Sequence, residues 1–174
     1  QSNHARASAL AARAVGLEPH CILRSDESPD SLGLAGNLLL MRLAGTKIFL
    51  ASKRAWRECG TDMLLDNVVE SLRKKGRKPY LISLGGSNGL GTWGYLDAVD
   101  ELKSQLGKGD MPAHFSDIAL ATGSGGTSGG IALGVHLASL GSRVHGFSVC
   151  NSPDYFYRHI DKHIVGEMLG EGDD

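Results

Sequence analysis

Two glycine clusters constrain this chain more than any other feature: Gly85-Gly86-Ser87-Asn88-Gly89-Leu90-Gly91 and Gly123-Ser124-Gly125-Gly126-Thr127-Ser128-Gly129-Gly130. Each stands between a short apolar run and a segment of helical periodicity, where a chain leaving a strand for a helix needs backbone freedom. Glycine totals 24 of 174 residues, about twice ordinary usage, and crowds into these turns instead of spreading as a low-complexity bias would.

The rest of the chain alternates in the same way. Helical spacing of apolar residues predicts helices over 3–15, 34–43, 61–75, 95–106, 131–140 and 155–169. Short apolar runs predict five strands, over 20–24, 47–50, 79–84, 117–121 and 143–150. Strands alternating with helices pair in parallel through right-handed crossovers, so the expected class is α/β, an open parallel sheet with helices on both faces. Ligands of such sheets bind beyond the carboxyl ends of the strands, the rim on which both glycine clusters are expected. The opening Gln1-Ser2-Asn3-His4 is a third candidate turn on that rim.

The second cluster has the makings of an anion cradle. It follows a strand and opens a helix, so free N–H groups, two hydroxyls and the positive end of the helix dipole face one point. No Gly-Lys-Ser/Thr follows, which excludes a P-loop. In the G-x-G-x-x-G frame from Gly123 the last place is Ser128, and the next strand ends at Cys150-Asn151 without a carboxylate, so a dinucleotide is excluded as well. A phosphate on a smaller ligand remains, beside the plainer reading of a glycine turn that lets a helix pack closely.

Composition closes off other classes. Lys plus Arg number 18 against 19 Asp plus Glu, and the densest basic stretch, over 73–78, reads as the cationic end of a helix, so no nucleic-acid surface is expected. Apolar runs fall far short of the ~20 residues that span a bilayer. Cys21, Cys59 and Cys150 are too scattered for a disulfide framework or a Cys-x-x-Cys metal site, pointing to a reducing, cytoplasmic setting with an organellar leader left open. His159 and His163 lie four apart on a helix without a third ligand nearby, so no metal site is expected. Ser2-Asn3, taken alone, reads as an ordinary helix cap.

Three motifs together resemble the fold-type-II, tryptophan-synthase-β-like enzymes that use pyridoxal 5′-phosphate, within them the D-cysteine desulfhydrase and 1-aminocyclopropane-1-carboxylate deaminase group. They are Gln1-Ser2-Asn3-His4, Gly85-Gly86-Ser87-Asn88-Gly89-Leu90-Gly91-Thr92 and Ala121-Thr122-Gly123-Ser124-Gly125-Gly126-Thr127, with Phe147-Ser148-Val149-Cys150 and Asp154-Tyr155-Phe156 resembling the desulfhydrase side. The resemblance implies that Gly123, Ser124, Gly125, Gly126 and Thr127 hold the cofactor phosphate and that Asn3 bonds the 3-oxygen of its ring. It implies that Ser2 binds the substrate carboxylate or acts as nucleophile, with Gln1 and His4 lining the same pocket. The activity implied is lyase chemistry on a small amino acid, desulfhydration of D-cysteine ahead of deamination of the cyclic substrate, in a homodimer. Residues 1–80 would then belong to the small domain and 81–174 to the large cofactor domain. The Schiff-base lysine of such enzymes precedes the Gln-Ser-Asn-His turn, and the lysines from Lys47 onward match no family lysine. The chain is therefore expected to be a central part, incomplete at both ends and inactive alone; a phosphate-binding fragment without catalysis is the alternative.

Overall fold

Four helix starts in this chain are written by a hydroxyl or amide side chain, those of Ser2, Ser52, Asn88 and Ser152. Ser2 accepts from the Ala5 N–H at 3.0 Å and opens α1 (Asn3–Ala14), leaving the orphan donors of the first turn partly satisfied. The computed structural model describes residues 2–28 and 31–170. They fall into two compact units, Gln1–Ile82 and Ser83–Asp174.

In the first unit α1 is followed by β1 (His20–Arg24), α2 (Gly36–Leu43), β2 (Lys47–Ala51) and α3 (Lys53–Lys74). The strands pair in parallel, His20 opposite Lys47 and Arg24 opposite Ala51, with α2 as the crossover. Ala9, Met41, Ala44 and Ala51 are buried and form the core of this unit. Arg13 Nε donates to the Ala44 carbonyl at 2.9 Å, tying the last turn of α1 to the end of α2. Helix α3 starts at Lys53, well before the predicted 61, with Ser52 accepting from Ala55 N–H at 3.0 Å. Gly60, at φ 73° and ψ 168°, breaks it internally, which is why the apolar periodicity becomes readable only after that residue.

The second unit begins with a correction. Residues 79–83 form no strand, and a 3-10 turn, Leu84–Gly86, follows them. An apolar run becomes a strand only by pairing, and among the described residues this one has no partner; Tyr80, Leu81, Ile82 and Leu84 are exposed. The expected single five-stranded sheet is thus two separate two-stranded parallel sheets among the described residues, one in each unit. Helix α4 (Gly89–Gln105) absorbs the end of the first glycine cluster, with Asn88 accepting from Gly91 N–H at 2.8 Å. Then β3 (Asp117–Thr122), α5 (Gly126–Leu137) and β4 (Arg143–Ser148) make one βαβ unit, Asp117 opposite Arg143. Helix α6 (Pro153–Ile160), a π-helical turn (Asp161–Gly166) and the short α7 (Glu167–Leu169) close the unit.

Helix α5 starts at Gly126, inside the second cluster, and its glycines are packing surfaces. A Cβ on Gly130 would stand 2.6 Å from Tyr95 Cβ, and one on Gly134 2.8 Å from Val99 Cγ2, so α4 lies against this face as only glycine permits. On another face a Cβ on Gly129 would stand 2.9 Å from Ile160 Cγ2. Val99, Val135, Phe156 and Ile164 are the buried apolar core here.

Candidate functional site

The turn between β3 and α5 is where this unit can take an anion. Gly125 precedes the helix at φ 95°, a left-handed conformation that an L side chain adopts only with strain, and supplies no side-chain cap. The first-turn N–H groups of α5 have no acceptor within the helix. One of them, Gly126 N–H, donates to Ser87 Oγ at 3.1 Å. Gly123 lies open, its nearest neighbour for a Cβ being Val149 at 3.9 Å, so the loop can admit a ligand against its backbone.

Each hydroxyl of the loop is held by a hydroxyl from elsewhere. Ser87 Oγ donates to Ser124 Oγ at 2.6 Å, the Tyr95 and Thr127 hydroxyls share a hydrogen bond of 2.5 Å, and Thr122 and Ser128 share one of 2.6 Å. Behind the loop, the Cys150 thiol donates to the Gly123 carbonyl at 3.1 Å. The donor set is therefore backbone N–H groups and neutral hydroxyls at a positive helix end, which suits a phosphate dianion. The two glycine clusters meet here through Ser87, although the first does not end a strand.

The remaining predicted residues lie in the first unit. Gln1 is outside the described residues. Ser2 is the cap of α1, so the plain cap reading is part of its role. Its hydroxyl accepts one bond in the cap and keeps its hydrogen for another partner. Asn3, exposed in the first turn, accepts on Oδ1 from Asn37 Nδ2 at 2.9 Å, and Asn37 Oδ1 accepts in turn from Arg6 Nη1 at 3.1 Å. His4 is half-buried with Nε2 3.4 Å from Ser8 Oγ.

Sequence reasoning overlooked Ser87 as the partner of the second cluster, and also Tyr95, Asn37 and Arg6. Only tertiary pairing distinguishes them from other polar residues, so no local signal marks them. A surface pocket of ≈ 480 Å³, lined by Glu18, His20, Lys47, Phe49, Lys75 and Arg77 among others, lies at the starting ends of β1 and β2, the rim opposite to the one that parallel sheets use for ligands. The His159 and His163 rings are 5.0 Å apart, and among the described residues no group of three or more His, Cys, Asp or Glu could hold a metal ion. No helix among them is long and apolar enough to cross a membrane.

Comparison with known proteins gives the family of the chain. Residues 1–168 match the family model described as pyridoxal-phosphate dependent enzyme. The chain belongs to that family. Pyridoxal phosphate is accordingly the family's cofactor, and the hydroxyl-rich α5 start fits its phosphate. Within this pyridoxal-phosphate-dependent family the chain is 48% identical over 175 residues to the mitochondrial bifunctional D-cysteine desulfhydrase/1-aminocyclopropane-1-carboxylate deaminase of Arabidopsis thaliana, covering 98% of this chain and 43% of that one. It is 39% identical over 167 residues to a putative 1-aminocyclopropane-1-carboxylate deaminase of Thermotoga maritima, covering 95% and 50%. The crystal structure of an ACC deaminase homologue superposes with TM-score 0.78 at 32% identity, covering 97% of this chain and 49% of that chain. The chain spans about half the length of the relatives it matches. The fold class expected from the motifs, that of fold-type-II pyridoxal phosphate enzymes, is the one these likenesses show.

Proposed function

We propose that the protein to which this chain belongs is a pyridoxal-phosphate-dependent lyase that converts D-cysteine and water to pyruvate, sulfide and ammonia. The observation that carries the reading is the α5 start: a left-handed glycine, first-turn N–H groups without an acceptor in the helix and three pre-oriented hydroxyls, in a chain of this family. A second reading, hydrolytic opening of 1-aminocyclopropane-1-carboxylate to 2-oxobutyrate and ammonia, is favoured by the name of the Thermotoga relative and by the ACC deaminase homologue. The Arabidopsis relative's name carries both activities.

Bound pyridoxal phosphate supplies an electron sink for charge developing at the substrate's α-carbon. The residues of this chain position and bind. Gly123, Ser124, Gly125, Gly126 and Thr127 anchor the phosphate through N–H and O–H donors. Asn3 donates to the ring's 3-oxygen through Nδ2, the end of its amide that Asn37 leaves free of the Oδ1 contact. Ser2, whose hydroxyl hydrogen is not used by the cap, binds the substrate carboxylate or attacks the strained ring as nucleophile; Gln1 and His4 line the pocket beside it.

In this reading unit Gln1–Ile82 belongs to the small domain and unit Ser83–Asp174 to the cofactor domain, and the active form is a homodimer. Three free cysteines, Cys21, Cys59 and Cys150, accord with a reducing compartment, the cytoplasm or an organelle matrix.

The test is made on the full-length gene product. It is loaded with pyridoxal phosphate, reduced with borohydride, mapped by peptide mass, and assayed for sulfide from D-cysteine and for 2-oxobutyrate from the cyclic substrate. A reduced cofactor adduct on a lysine, with sulfide release, supports the first reading. An adduct with 2-oxobutyrate alone selects the second. Absence of any adduct leaves a phosphate-binding protein without catalysis and overturns both.

A further inference from the structure

The first turn of α1 contains a hydrogen-bond chain whose direction is fixed by its first member. A guanidinium can only donate, so the atom of Asn37 that faces Arg6 Nη1 at 3.1 Å must be the carbonyl oxygen Oδ1. The other end of the Asn37 side chain is then its NH₂ group, which donates at 2.9 Å to Asn3. Asn3 must present its own carbonyl oxygen there, and its NH₂ group is the end left for a ligand. An asparagine amide looks nearly symmetric, and either end can turn outward at little cost when nothing restrains it. Here a cation two side chains away removes that choice.

We propose that Arg6 and Asn37 are positioning residues that set the polarity of Asn3, so that it offers a donor and not an acceptor to the cofactor's ring oxygen. This rests on the role given to Asn3 under the proposed function. All three residues belong to one unit: Asn3 and Arg6 lie one turn apart on α1, and Asn37 sits in the first turn of α2. Helix α2 thereby acquires a purpose beyond that of a crossover, since it delivers the side chain that orients Asn3. A donor on the ring oxygen favours the oxyanion form, so reversing the amide raises the pH at which the bound cofactor changes its absorption spectrum.

The experiment uses the full-length gene product loaded with pyridoxal phosphate, and reads the absorption spectrum as a function of pH. Asn37→Asp is close in shape and still accepts from Arg6, but it presents an acceptor to Asn3 and turns the Asn3 NH₂ inward. The expected result is a spectral midpoint raised by about one pH unit, a tenfold loss of preference for the oxyanion. Asn37→Leu removes the contact without adding charge and is expected to shift the midpoint in the same direction by less. Asn37→Asp introduced into an Asn3→Ala protein is expected to add nothing, because the residue it acts through is gone. A shift of equal size in that background would mean that the new charge acts through space, and would overturn the proposal. So would cofactor bound to Asn37→Asp and Asn37→Leu with an unchanged midpoint. Should Asn37→Asp fail to fold, Arg6→Met carries the same prediction, a raised midpoint, by releasing the anchor. A wild-type protein that binds no cofactor overturns the proposed function, and this inference with it.

Discussion

Helices α1 and α5 begin in opposite ways. Helix α1 is capped by its own serine, and α3, α4 and α6 likewise begin at Ser52, Asn88 and Ser152, each accepting from an N–H three residues on. Helix α5 begins at a left-handed glycine that has no side chain to offer, and a serine from a distant loop reaches one of its donors. A self-capped start is closed at the moment the helix forms. A start capped from elsewhere keeps its positive end available, and the surroundings decide how much of it a ligand receives. The same residue type, serine, thus makes a local cap at position 2 and a long-range hydroxyl pair at the proposed cradle at positions 87 and 124, and the difference lies in whether its partner is three residues away or 37.

The largest effect should come from filling the close approach of α4 and α5. Gly130→Val would force atoms into Tyr95, and is expected to cost about 3 kcal/mol in urea unfolding, while a valine at Gly94, where nothing lies within 4 Å, is expected to gain a few tenths of a kcal/mol from helix propensity. Gly125→Ala tests the left-handed start: about 1–2 kcal/mol of strain, together with a contact at 3.3 Å to His159 Cδ2, and a weakened cofactor affinity by fluorescence titration. A normal affinity in that variant would separate the glycine from the cradle.

At the other helix start, Ser2→Ala should lose about 1 kcal/mol as a lost cap, and Ser2→Gly only a few tenths. Both should lose turnover of D-cysteine, so the glycine variant isolates the chemical role from the cap. A Ser2→Gly enzyme with full turnover would reduce Ser2 to a cap, as in α3 and α6.

The smallest effect concerns the rim where β3 begins. The carboxyl of Asp117 is held below its usual range, first by the hydrogen bonds from Arg143 and then by His145. A depressed carboxyl stabilises the fold above its unfolded value of about 3.9, and that contribution fades as pH falls through the lower folded value. Asp117→Asn should therefore lower the melting temperature slightly at pH 6, and the difference from wild type should shrink as pH falls below the usual carboxylate range. Glu18 at the start of β1, depressed by its hydrogen bond from His20 and then by Arg77, should behave alike in the other unit.

Legibility followed the range of the interactions involved. Strands β1 to β4 and the cores of their helices were readable because apolar periodicity is local, and the glycine turn proposed to hold the phosphate was readable as a turn because glycine spacing is local too. Residues 79–84 read as a strand because the run is apolar, yet pairing is a tertiary event that the run itself does not encode. The α5 start was read too late, at 131, since glycine's poor helix propensity hides a segment that packing against Tyr95, Val99 and Ile160 makes helical. The π-helical turn after Ile160 left no sequence mark, while the early start of α3 did have one in Ser52, masked by Gly60. Among the proposed site residues, those assigned to a ligand carry a motif, and those that hydrogen-bond to them, Ser87, Tyr95, Asn37 and Arg6, do not.

One capping contact spans more of the chain than the others. Glu167 Oε2 accepts from Gly89 N–H at 2.8 Å, so the start of α4 is completed by a carboxylate 78 residues downstream. During synthesis α4 emerges long before that partner exists. Asn88 closes part of that start locally, and the remaining contact, on Gly89 N–H, forms only once residue 167 has been made. The beginning and the end of the unit, the loop that carries Ser87 and the closing turn, are thereby tied to each other.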